Sequence, residues 1–130
     1  MKVFIYFNLH KQCLSLKAMN GPHKGRVVAH ANSAELSEVF FKVSESGRQR
    51  VIREKRKNVH AGIVGTLEKY DLVTKLLPFD SEIGIIELTD EMEKLTYNPY
   101  QYHSFVKRSD KTPVDSAKKA FIVGRDLRIS

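Results

Sequence analysis

The sequence predicts an α+β fold, a mainly antiparallel β-sheet with one short basic helix and a candidate second helix. Three observations carry this. Apolar residues alternate along most of the N-terminal half, as in KVFIYF and CLSLKA; period-2 alternation is the mark of a strand. The pattern then changes in SESGRQRVIREKRK, which is rich in good helix formers and has Ser44 and Ser46 as candidate N-caps. Helical crossovers are too few for a parallel sheet.

Taken in order, KVFIYF is a strand and Asn8 to Gln12 a turn, so that CLSLKA completes a hairpin. NGPHKG is dense in chain breakers, RVVAHA is a third strand, ANSAELSE a polar connection and VFFKVS a fourth strand. The basic helix follows, placing Val51 and Ile52 on one side and Arg50, Arg53 and Lys57 on the other, with Arg56 flanking them. Asn58 stops it and VHAGIVGTL resumes as a strand. YDLVTKLLPF is a short helical turn stopped by Pro78, and EIGIIEL a strand. TYNPYQYHSFV packs four aromatic rings together, and VDSAKKAFIVG and DLRIS are closing strands. With 130 residues and no internal repeat, one domain over 1–130 is expected.

Charge points to anionic partners. The formal net charge is +7, and Arg48 to Lys57 carries six positive charges against one negative. A concentrated positive field attracts phosphate, while a diffuse one mainly aids solubility. The bland reading is a solvated helix face. It is weakened because like charges three and four residues apart cost helix stability, and Arg53 repels Arg50, Arg56 and Lys57. Arginine suits phosphate because its planar guanidinium bonds two oxygens together. Asn58 and His60, two residues apart, add a polar edge.

Two further groups could complete a site. In NPYQYHSF, Asn98 is placed to cap or bond a ligand, and Tyr100 or Phe105 to stack on a base, although any single ring is more often core. In GRDLRIS, Gly124 permits a bend, and Arg125 beside Asp126 offers a donor fork next to an acceptor; an exposed ion pair is the alternative.

Catalytic patterns are absent. The five histidines form neither HxxxH nor HExxH, His10 and Cys13 lack a second ligand pair, and there is no P-loop, GxGxxG or nucleophile elbow. No catalytic residue, cofactor or metal is therefore expected. Cys13 is the sole cysteine, which excludes an intrachain disulfide and suits a reducing interior. MKVFIYFNLH lacks signal-peptide features, and no run approaches the roughly 20 apolar residues of a membrane span. A cytoplasmic protein without a membrane partner is expected.

NLHKQC, GRQRVIREKRKNVHA and TYNPYQYHSFV together resemble the first-described phage Thoeris anti-defence family, over about Lys2 to Ile129. The resemblance implies a non-enzymatic homo-oligomer in the host bacterial cytoplasm. Such proteins act as sponges for cyclic ADP-ribose isomers, some also binding cyclic oligonucleotides. It implies phosphate contacts from Arg53 or Arg56, a polar edge from Asn98, adenine stacking by Tyr100 or Phe105, and closure by Arg125 with Asp126. The residue types themselves equally admit a phage accessory protein that binds RNA or DNA through the basic helix. An enzyme trails both readings.

Overall fold

The structure, a computed structural model, describes residues 1–8, 10–43, 53, 61–79, 82–97 and 105–130. The described chain forms nine strands: β1 (Lys2–Asn8), β2 (Cys13–Ala18), β3 (Val27–Val43), β4 (Ala61–Lys75), β5 (Glu82–Ile83), β6 (Glu93–Tyr97), β7 (Phe105–Lys107), β8 (Ser116–Val123) and β9 (Asp126–Ile129).

They make one sheet in the order β5-β4-β1-β2-β3-β8-β9-β6-β7, with β3 also paired to β4. Pairings β1–β2, β2–β3, β3–β4 and β4–β1 therefore close a ring. Every pairing is antiparallel except β4–β5. Closure is achieved by bending two long strands. The β3–β4 ladder shifts register at four places between His30 and Phe40, and bulges of this kind bend a strand and raise its twist. At the last of them Glu38 has a φ of 50°.

Inside the ring, Val3, Ile5, Leu14, Leu16, Val28, Leu36, Ile63, Leu67 and Tyr70 are buried. Alternation selects them: Val3 and Ile5 on β1, Leu14 and Leu16 on β2. The opposite face of β2 is polar yet covered. Ser15 is fully buried, receives a hydrogen bond from Asn8 Nδ2 at 3.1 Å, and lies 3.1 Å from His30 Nδ1. With Asn8 as donor, the serine hydroxyl keeps a proton and a second lone pair for Nδ1, so the contact fits either neutral tautomer of His30.

The α+β expectation is overturned. Strands hold 64% of the described residues, and no helix forms among them. Tyr70 to Lys75, expected in a helical turn, belongs to β4. Tyr70 and Leu72 pack toward the core while Val73 is exposed. The expected basic helix lies outside the described residues, apart from Arg53, which is exposed. ANSAELSE is not a connection either, because β3 runs through it without a break. Its Ala31, Ala34 and Leu36 are buried, while Ser37 bonds Glu68 and Glu35 pairs with Lys119 on the other face. The two expected strands are one.

Tyr70 is fully buried against Phe79, with ring centroids 5.4 Å apart, and its hydroxyl has no partner among the described residues. An unpaired buried hydroxyl carries its full desolvation cost. Tyr70→Phe should therefore raise the unfolding free energy by about 1 kcal/mol, measured by urea denaturation. Desolvation also holds the phenol above its ordinary pKa of 10.0. A folded-state value raised in this way leaves stability intact below pH 10 and erodes it above, where the unfolded chain ionises first. The variant should lose that part of the alkaline decline.

Candidate ligand-binding site

The residues expected to bind an anion sit on three connections. Arg53, Arg56, Asn58 and His60 lie between β3 and β4, Asn98 and Tyr100 between β6 and β7, and Arg125 and Asp126 at the β8–β9 turn. Arg56, Asn58, His60, Asn98 and Tyr100 fall outside the described residues. The anchors of the connections are described, and those of the first two lie together.

Val43 pairs with Ala61 at the base of the first connection, and Tyr97 with Phe105 at the base of the second. Phe41, two residues before Val43, packs its ring on Phe105 with centroids 5.0 Å apart. Phe41 N–H also donates to Asp115 O at 3.0 Å, and Val114 N–H to Phe105 O at 3.0 Å, fixing β7 beside the start of β8.

The third connection leaves the other end of β8, where Val123 pairs with Ser33 and Gly124 N–H donates to Asn32 O at 3.0 Å. Gly124, with φ at 60°, makes the tight turn from Val123 to Asp126. The Arg125 guanidinium carbon stands 4.6 Å from the centroid of the Phe7 ring, a cation–π contact that holds a long side chain in place. Phe7 is two residues beyond Ile5, and Ile5, Ile63 and Phe41 stand in register across β1, β4 and β3. At a strand spacing near 4.8 Å, that row is about 10 Å wide. Phe7 and Phe41 thus frame the base of the connection that carries the basic segment.

Arg125 and Asp126 do not act as the expected pair. Asp126 turns to Arg128, receiving hydrogen bonds from Nε and Nη2, both at 3.2 Å, and Lys94 stands 3.8 Å away. Arg128 also donates to Thr89 O at 2.8 Å and has Asp90 at 3.9 Å. Asp126 thereby fastens β9 to β6, and Arg128 fastens β9 to the turn before β6. The two-point hydrogen bond from Arg128, aided by the charges of Arg128 and Lys94, holds the Asp126 carboxyl below its ordinary value of 3.8. A lowered value of this sort gives stability that is present above pH 4 and lost as acid protonates the folded carboxylate. Asp126→Asn should flatten the acid limb of the stability–pH curve, followed by thermal unfolding from pH 2 to 6.

Phe105 is also a packing residue, buried at the start of β7. The rings that sequence reasoning missed are Phe7 and Phe41. Both read as ordinary strand positions, and only the register shows that they flank the connection. Among the described residues no group of three His, Cys, Asp or Glu is placed to hold a metal ion, and no helix is long and apolar enough to cross a membrane.

No solved structure matches this chain. The gene 82 protein of Mycobacterium phage L5 is 34% identical over 134 residues, covering 98% of this chain and 94% of the relative. The family described as Mycobacterium phage L5 gene 82 protein matches residues 1–129. On a match of that length, this chain belongs to the phage L5 gene 82 protein family.

Proposed function

We propose that this phage protein binds a nucleotide-derived anionic signal of the cyclic ADP-ribose class and withholds it, unaltered, from bacterial immune signalling. The observation that supports the reading is the adjoining of the basic and the aromatic connections at their bases. The Phe41–Phe105 stack joins the bases of the basic and the aromatic connections, and Arg125 is held on the Phe7 ring. A cyclic diphosphate requires cationic donors, a ring for adenine and polar groups for ribose. Arg53, Arg56 and Arg125 supply the first, Tyr100 the second, and Asn58, His60 and Asn98 the third. The resemblance to the Thoeris anti-defence family supports the same ligand class and the absence of turnover.

Calorimetry with cyclic ADP-ribose isomers at physiological salt, beside a generic oligonucleotide, tests the reading. Saturable binding is expected, with the ligand recovered unchanged after denaturation. Arg125→Ala should weaken it about tenfold, the scale of one charge-assisted contact of about 1.4 kcal/mol. Absence of binding to every isomer overturns the proposal. An oligonucleotide bound instead, with affinity falling by nearly one log unit per phosphate contact for each log unit of salt, would make the protein an RNA or DNA binder.

A further inference from the structure

We infer that the β5 edge of the sheet receives an extended, basic polypeptide strand from another protein. β5 is the terminal strand, joined to β4 by the pairs Lys69↔Glu82 and Tyr70↔Ile83. On it and just after it two large apolar side chains are exposed, Ile83 by 61% and Ile85 by 83%. Natural sheets blunt such edges with short strands, charged side chains, proline or a bulge, because an open edge recruits another strand; β5 itself is only two residues long, and the extended chain after it continues the edge. From Glu82 to Glu93 there is no lysine, arginine or proline.

Charge decides the kind of strand. Glu82, Glu87, Asp90, Glu91 and Glu93 give this segment a net charge of −5 in a chain of net charge +7. Glu82, Glu87 and Glu91 are exposed. Lys69, opposite Glu82, and Arg128, 3.9 Å from Asp90, offset part of this charge, and screening over about 8 Å at physiological salt leaves the segment acidic. A partner strand alternating apolar residues with lysine or arginine would pair its backbone with β5, lay its apolar side chains on Ile83 and Ile85, and match the carboxylates. This is strand addition with charge selection.

Blocked peptides of alternating lysine and valine, alternating glutamate and valine, and alternating lysine and proline are the probes. They are titrated against the full chain with backbone amide NMR. The lysine–valine peptide should bind and shift amides over residues 82–88. The glutamate–valine and lysine–proline peptides should bind at least tenfold more weakly, the first for charge and the second for want of N–H donors. Ile85→Lys and the double variant Glu87→Lys with Glu91→Lys should each lose the binding while keeping the wild-type melting temperature. Equal binding of all three peptides, shifts elsewhere, no binding, or unchanged binding in both variants overturns the inference. So does sedimentation showing wild-type dimers that Ile85→Lys dissociates, which would assign the edge to a second copy.

Discussion

Gly62→Ala is expected to lower the unfolding free energy by about 3 kcal/mol, at the upper end of what overpacking costs. The methyl group would sit far closer to the Ile5 carbonyl oxygen than van der Waals contact allows and 2.8 Å from Phe4 Cζ. The first obstacle is backbone, held in the β1–β4 ladder, so a side-chain rotation cannot relieve it. The strand must move, and the ladder that closes the ring moves with it. Gly84→Ala is the internal control: its methyl would meet Lys69 Cδ at 3.4 Å, an ordinary contact, and should change stability by no more than about 0.5 kcal/mol. Urea midpoints of the two variants, compared with wild type, provide the check. Equal midpoints would show that β1 does not cross Gly62 as closely as described.

Phe105→Ala is expected to cost about 3 kcal/mol of stability, as emptying a buried aromatic site does. Phe105→Leu should cost about 1 kcal/mol, since the cavity is mostly refilled. The pair of variants separates packing from ligand contact. Phe105 is buried against Phe41, so the leucine variant should keep its affinity for a cyclic ADP-ribose isomer within about twofold while its melting temperature falls. A tenfold loss of affinity at an unchanged melting temperature would return the ring to the ligand.

What could be read in the sequence was what local alternation controls. KVFIYF and CLSLKA pair as β1 and β2 across the Asn8 to Gln12 turn, where Asn8 Oδ1 accepts from Lys11 N–H. SAKKAFIV and DLRI pair as β8 and β9 about Gly124. The failures came where tertiary structure overrides the local signal. β3 looked like two strands because its middle carries Asn32, Ser33, Glu35 and Ser37. Small residues permit the bend there, and Glu35 and Ser37 find partners on neighbouring strands. YDLVTKLLPF looked helical because a bulged strand loses strict period-2 order. The site was legible as residue types and illegible as an arrangement. Nothing local tells that Phe41 meets Phe105 more than sixty residues on, or that Asp126 bonds Arg128.

Ring closure has a consequence for how the chain is made. The pair Lys2↔Thr66 joins residues more than sixty positions apart, so β1 leaves the ribosome long before its partner exists. Until then the β1–β2 hairpin carries an uncovered apolar face, and an isolated hairpin is marginal in water. Nascent chains halted before β4 should bind chaperones and resist compaction, and those halted after Lys75 should not. The slow step of folding is then the arrival of β4, as expected where long-range pairing sets the rate.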